Sequence, residues 1–213
     1  MKEKIKEFII KNLKWIILFI CLIGFFALAE DVFNKELMNG DIIGYKIVST
    51  FLISDFATPI AKFVTNFGGA IFLIVLTIVL VILIKNKKIG ISIFSNLVII
   101  TILNQLIKRI LQRPRPTEYR IIEETGYSFP SGHSMVSMAF YGYLIYLIYK
   151  YVKNKYLKWI SIVLLSILIC SIGVIRIYLG VHYISDVLGG FLLSISYLVI
   201  YISAVNKFLI KDK

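Results

Sequence analysis

Six apolar stretches, most of them 16–22 residues long, dominate this chain of 213 residues. They lie at about residues 13–29, 63–84, 89–107, 134–149, 157–175 and 187–206. A helix rises about 1.5 Å per residue, so about 20 apolar residues cross a hydrocarbon core of about 30 Å. With 59% hydrophobic residues, the chain carries more apolar surface than a soluble domain of this size can bury. The same composition excludes a disordered chain.

The predicted fold is an all-α, polytopic membrane protein built as a bundle of six transmembrane helices. Backbone groups surrounded by lipid must pair within their own segment, and the alternating pattern of a transmembrane barrel is absent. The length leaves room for a single membrane-embedded domain over residues 1–213 and for no separate soluble module. Residues 30–62, in the first outer loop, are partly amphipathic, and we expect one or two short helices there that lie in the membrane interface.

The basic residues divide the connections between these stretches into two sides. Residues 1–14, 85–88, 150–158 and 207–213 hold fifteen of the 24 basic residues, and all fifteen are lysines. The other side holds nine basic and nine acidic residues, including all five arginines. Because positively charged loops stay in the cytoplasm, we predict a multi-pass protein of the cell membrane with cytoplasmic termini. The net charge of +12 then belongs to the cytoplasmic side and does not indicate a nucleic-acid partner.

Three polar motifs lie on the side that is predicted to face outward. They are K-x6-R-P, P-S-G-H and R-x5-H-x3-D, at residues 108–116, 130–133 and 176–186. The chain is predicted to cross the membrane twice between the second motif and the third, so both lie on the same face. We therefore expect three remote segments to converge on one extracytoplasmic site.

In this order and with these gaps, the motifs resemble the signature of the type 2 phosphatidic acid phosphatase family. That family is similar to the bacterial acid phosphatases and the vanadium haloperoxidases, and the resemblance covers roughly residues 63–206. It implies a membrane lipid phosphatase that works through a phosphohistidine intermediate. One position departs from the family pattern, because Ile175 precedes Arg176 where the family usually has serine. We expect that loss of a hydroxyl to affect the tightness of phosphate binding and not the reaction.

The resemblance implies roles for eight residues. His182 attacks phosphorus and Asp186 orients His182. His133 protonates the departing oxygen and then activates water for the second step. The phosphoryl oxygens are held by the remaining five: Lys108, Arg115, Ser131, Gly132 and Arg176.

The residue types fit this chemistry on physical grounds as well. Fixed cations stabilise the charge on a phosphoryl group during transfer, and the absence of a carboxylate cluster predicts no metal and no cofactor. Ser131 is suited to cap a helix, and Gly132 lets the backbone approach an anion at that helix N-terminus. His182 and Asp186 are four residues apart, so they would share a helix face, where the carboxylate fixes the tautomer of the ring.

Five other residues with notable chemistry are interpreted as structural. The two cysteines lie inside apolar stretches without disulfide or metal spacing, and we interpret both as buried small hydrophobic residues: Cys21 and Cys170. Three outer arginines match no motif position, and we interpret them as anchors at the membrane edge: Arg109, Arg113 and Arg120.

The predicted position of the site indicates the class of substrate. A phosphate group anchored in the bilayer reaches the outer interface by lateral diffusion, so we expect a membrane lipid phosphate. Phosphatidylglycerophosphate, phosphatidic acid and undecaprenyl diphosphate all remain open. A lipid phosphoryltransferase with the same intermediate is a second hypothesis. A transporter is a third, but its ionisable residues should lie near the bilayer midplane, where the six stretches have almost none.

Overall fold

The computed structural model describes residues 2–36, 38–51 and 53–210, and for residues 2–11 and 49 it describes the backbone alone. Over these ranges the chain forms eight α-helices and no β-strand, as the all-α prediction requires. The helices are α1 (Lys2–Phe33), α2 (Asn39–Phe51), α3 (Ala57–Thr65), α4 (Ala70–Leu83), α5 (Lys87–Leu111), α6 (Gly132–Tyr151), α7 (Lys155–Tyr178) and α8 (Ile184–Phe208). A single 3-10 turn, Asn66–Gly68, joins α3 to α4.

Four of the described helices are long and apolar enough to cross a membrane, namely α1 from Asn12 onward, α5, α7 and α8. The second apolar stretch is divided between α3 and α4, which pass the same test only as a pair bent by 50°. Gly69 has an extended backbone at this break (φ −76°, ψ 150°). The 14 residues of α4 span about 21 Å, which is less than a hydrocarbon core of about 30 Å.

Helix α6 corresponds to the fourth apolar stretch and begins two residues earlier, at Gly132. It is not one of the four apolar helices, because it carries polar side chains that bind within the bundle. Tyr141 Oη donates to the carbonyl of Phe67 at 2.6 Å, and Tyr143 Oη donates to Ser92 Oγ at 2.7 Å. Helix α6 packs against α5, α7 and α8. That position in the bundle supports a sixth span, which stays a prediction, as does the interfacial position of α2.

The lateral surface of the bundle is apolar, which suits a lipid environment. Phe19, Ile71 and Leu164 each expose more than 60% of their surface. The interpretation of Cys21 as buried is correct, whereas that of Cys170 is wrong, because Cys170 lies on the exposed face of α7. An apolar stretch of this kind carries no sign of which face packs against protein and which faces lipid.

The helix directions bring the three motifs to one end of the bundle. Helices α5 and α7 end there, whereas α6 and α8 begin there. The lysine-rich connections at residues 85–88 and 150–158 lie at the opposite helix ends. The predicted cytoplasmic terminal segments are residues 1–14 and 207–213, of which residue 1 and residues 211–213 lie outside the described residues.

Candidate active site

The candidate nucleophile His182 is buried beside Asp186. His182 lies in the connection before α8 and not on the helix itself, while Asp186 is in the first turn of α8. The distance from His182 Nδ1 to Asp186 Oδ2 is 3.3 Å, and both side chains are at most 1% exposed. The Tyr183 amide donates to Asp186 Oδ2 at 2.8 Å. Ser128 Oγ also donates to that oxygen and lies 3.2 Å from His182 Nδ1, so the ring and the carboxylate are held in one orientation.

Arg115 defines the tautomer of His182. Its Nη1 donates to His182 Nε2 at 3.0 Å and to the carbonyl of Val181 at 3.0 Å. A guanidinium has only donors, so Nε2 accepts and the ring proton is on Nδ1, toward Asp186. Burial lowers the pKa of His182 to about 3, although Asp186 acts in the opposite direction. The ring is therefore neutral at pH 7, with the lone pair of Nε2 directed toward Arg115.

The segment after α5 carries two arginines to the His182–Asp186 pair. Gln112 has a left-handed backbone (φ 47°) and ends the helix, and Pro114 and Pro116 then favour an extended chain. Residues two apart lie on the same face of an extended chain, so Arg113 and Arg115 both reach the His182–Asp186 pair, Arg113 at Asp186 and Arg115 at His182. Arg115 reaches His182, and the carbonyls of Gly126 and Thr125 accept from its Nε and Nη2, each at 3.0 Å.

Arg176 brings a second guanidinium from the end of α7. It is 1% exposed, and its Nη1 donates to Thr65 Oγ1 at 3.0 Å. Its Nη2 donates to Glu124 Oε1 at 2.5 Å. Glu124 Oε2 in turn lies 3.8 Å from Arg115 Nη2, so one carboxylate contacts both guanidiniums. The buried Nε of Arg176 has no hydrogen-bond partner among the described residues.

Lys108 and the start of α6 contribute the remaining predicted phosphate-binding residues to the site. Lys108 is 8% exposed, and its Nζ donates to the carbonyls of Tyr127 and Ser128. Ser131 caps α6, since its Oγ accepts from the Ser134 amide at 3.4 Å. A Cβ added to Gly132 would lie 3.2 Å from Asn104 Oδ1, so a side chain there would crowd α5.

A cavity of about 470 Å³ joins these groups. Five of the eight predicted site residues line it: Lys108, Arg115, Gly132, His133 and His182. Arg176 and Asp186 lie behind the lining, in contact with Glu124 and His182 respectively. Ser131 does not line the cavity, and its fully buried hydroxyl serves the helix cap. The apolar end of the cavity is formed by Leu73, Ile74, Leu97 and Val136.

A larger cavity of about 900 Å³ lies between α1, α6, α7 and α8. Its lining extends toward the opposite helix ends, where Lys14 and Lys207 are located. It contains no residue of the three motifs, so the candidate chemistry belongs to the smaller cavity.

The interpretation of Arg113 as an anchor at the membrane edge is wrong. Arg113 is 6% exposed, and its Nη1 donates to Asp186 Oδ1 at 2.7 Å. Its Nη2 donates to Asp41 Oδ2 at 2.6 Å, and Ser185 Oγ accepts from Nη1 at 2.7 Å. Burial lowers the pKa of Arg113, but Asp186 and Asp41 outweigh burial and raise it above its usual value. Arg113 therefore links α2 to the carboxylate that contacts His182.

The other two outer arginines contribute less to the site. Arg120 bends back on its own loop, where Nε and Nη2 donate to the carbonyl of Pro116 at 3.0 and 2.6 Å. Arg109 is exposed and belongs to the lining of the cavity.

Sequence reasoning missed four polar residues of the site: Asp41, Arg113, Ser128 and Glu124. The Arg-Pro-Arg-Pro repeat offered a signal for Arg113, because it places a second arginine in the same extended segment as Arg115. Asp41, Ser128 and Glu124 belong to no motif, and nothing in their spacing marks them.

The chain was found to be similar to proteins of known sequence and structure. A family model described as the PAP2 superfamily matches residues 89–210, more than half of the chain and all three motifs. The chain is 36% identical over 96 residues to phosphatidylglycerophosphatase B of Bacillus subtilis (strain 168). That alignment covers 44% of this chain and 47% of the relative, so it spans about half of the relative's length.

Two further matches cover most of the chain. It is 28% identical over 182 residues to an undecaprenyl-diphosphatase of Sulfolobus acidocaldarius, over 82% of this chain and 80% of that protein. It also resembles the crystal structure of the first transmembrane PAP2 type phosphatidylglycerolphosphate phosphatase from Bacillus subtilis. The TM-score is 0.79 at 23% identity, covering 90% of this chain and 96% of the other, so the two share a fold.

Proposed function

Because this chain belongs to the PAP2 superfamily, we propose that it is an integral membrane phosphatase for a phosphomonoester or diphosphate of a membrane lipid. The observation that carries this proposal is the convergence of His182, with its Nε2 lone pair, and two buried guanidiniums beside one cavity. Neutral imidazole is the nucleophilic form of histidine, and guanidiniums bind phosphoryl oxygens through paired donors.

In the first step, His182 Nε2 attacks phosphorus in line, and the bond from phosphorus to the leaving oxygen breaks. His133 gives its proton to that oxygen, which leaves a phosphohistidine. Asp186 accepts the hydrogen bond from His182 Nδ1 and stabilises the positive charge that develops on the ring. Arg115 releases Nε2 as the phosphoryl oxygens accept its N–H groups instead.

In the second step, water attacks the phosphohistidine. His133 takes a proton from this water, the bond from phosphorus to Nε2 breaks, and inorganic phosphate leaves. Arg115, Arg176 and Lys108 stabilise the phosphoryl charge in both steps.

The cavity itself supports a lipid substrate. Its polar end holds the cations and both histidines, whereas its other end is lined by apolar side chains of α4 and α5. Ile74 and Thr101, which belong to this lining, are exposed residues. A substrate with a phosphate head and an apolar tail matches both ends.

The proposed orientation places the site at the extracytoplasmic face of the cell membrane. Lysine-rich connections mark the cytoplasmic side by the positive-inside rule, and the site residues lie at the opposite helix ends.

Purified protein in detergent should release inorganic phosphate from at least one member of a panel of lipid phosphates. The panel contains phosphatidylglycerophosphate, phosphatidic acid and undecaprenyl diphosphate, with His182→Ala as the blank. We expect the blank to remain at background, because the variant lacks the Nε2 lone pair that forms the bond to phosphorus. A phosphorylated acceptor in place of free phosphate would instead identify a phosphoryltransferase, and activity in the blank would contradict the assigned nucleophile.

Activity should be fully retained in excess EDTA. Within the described residues, no three His, Cys, Asp or Glu side chains are grouped so that they could hold a metal ion. The guanidiniums and Lys108 supply the positive charge that a metal would otherwise provide. The measurement is phosphate release before and after EDTA treatment, and a loss that Mg²⁺ restores would contradict the prediction.

A further inference from the structure

We propose that Glu124 is an internal competitor of the substrate, an inference that rests on the function proposed above. Its carboxylate binds the two guanidiniums that are assigned to the phosphoryl oxygens, so a phosphoryl group must displace it to reach them.

The geometry of Glu124 is that of a bound anion. Its two oxygens are directed at different arginines, with Oε1 2.5 Å from Arg176 Nη2 and Oε2 3.8 Å from Arg115 Nη2. The arginines come from separate elements, the end of α7 and the segment after α5. Glu124 lines the same cavity as His133 and His182. A carboxylate and a phosphoryl group use the same guanidinium donors, so both cannot occupy this position at once.

The charge of Glu124 strengthens the competition. Burial raises the pKa of Glu124, but the charge and hydrogen bond of Arg176 outweigh burial and lower it below the usual value. The side chain is therefore an anion at neutral pH. Like charges at contact distance repel, so an anionic phosphoryl group is opposed as long as the carboxylate stays between the guanidiniums.

The Glu124 side chain can move away from the two arginines toward solvent. Its side chain is 27% exposed, whereas those of Arg176 and Arg115 are only 1% and 8% exposed. The arginines are fixed by Thr65 and by backbone carbonyls, so Glu124 is the partner that can rotate toward solvent. After that rotation, Arg176 can offer both Nη2 and its otherwise unpartnered Nε to the phosphoryl oxygens.

The chain contains a matched control for this proposal. The neighbouring Glu123 is 92% exposed and pairs with Arg120, outside the cavity. Full-length protein in detergent is titrated with inorganic phosphate, and the dissociation constant is measured by calorimetry for wild type, Glu124→Gln and Glu123→Gln. We expect phosphate to bind Glu124→Gln about tenfold more tightly than wild type, by about 1.4 kcal/mol. Glu123→Gln should stay within about twofold of wild type.

Phosphate affinity that is unchanged or weaker in Glu124→Gln would overturn the proposal and make Glu124 a support for the arginines. Glu124→Ala, which removes both charge and hydrogen bond, provides the same test if the glutamine variant does not fold. The assay separates two failures, because the binding measurement does not depend on turnover. Tighter binding without lipid hydrolysis would contradict the proposed function alone, whereas hydrolysis with unchanged binding would contradict the role of Glu124 alone.

Discussion

Replacing His133 with alanine should make the enzyme sensitive to the quality of the leaving group. A lipid alkoxide is a poor leaving group and needs the proton of His133, whereas a phosphate leaving group needs it much less. We expect transfer from a phosphomonoester to His182 to fall by about 10²- to 10⁴-fold. Transfer from a lipid diphosphate should fall far less. The measurement is a single-turnover experiment with each substrate.

The fate of the phosphohistidine gives this experiment a second readout. Since His133 also activates water, the variant should accumulate phosphorylated His182 after reaction with a diphosphate, which mass spectrometry of peptides can detect. His182→Ala is the control and should form no phosphoenzyme. Equal losses on both substrate classes would show that His133 is not the acid for the leaving group.

Replacing Arg113 with methionine should have the largest effect on stability. Arg113 lies between two buried carboxylates, and its loss leaves Asp41 and Asp186 without their shared cation. Removing one partner of a buried ion pair costs about 3–5 kcal/mol, because the remaining charge is left uncompensated. We expect a marked fall in the melting temperature in detergent. A fall in kcat larger than the change in KM should accompany it, because Asp186 acts through His182.

Two variants separate this network from a general effect of arginine removal. Arg120→Met removes an arginine from the same polar connection, where its side chain binds Pro116 and Glu123, and should change the melting temperature little. Adding Asp41→Asn to Arg113→Met removes one of the two carboxylates that have lost their cation. The double variant should therefore recover part of the lost stability. A melting temperature for Arg113→Met equal to that of wild type would refute the structural role of this network.

The spacing of residues in the sequence predicted those contacts of the site that form within a single short segment. The three-residue gap between His182 and Asp186 places them 3.3 Å apart even though His182 lies before the helix. Ser131 followed by Gly132 predicted a helix start, and Ser131 does cap α6. These relations are set by backbone geometry within a few residues, so a sequence carries them directly.

The contacts between remote segments could not be read from the sequence. Asp41 is one acidic residue in a mixed stretch, and its pairing with Arg113 depends on how α2 docks against the motifs. The same holds for Glu124, whose loop folds so that it meets α7. The bend at Gly69 was missed because apolar character continues on both sides of it.

The two Arg-Pro steps after α5 make this short stretch intolerant of changes in length. Arg113 faces Asp41 and Asp186, while Arg115, two residues later, faces His182. Inserting or deleting one residue before Arg113 would turn both side chains to the opposite face of the extended chain, so the carboxylates and the nucleophile would lose their partners together.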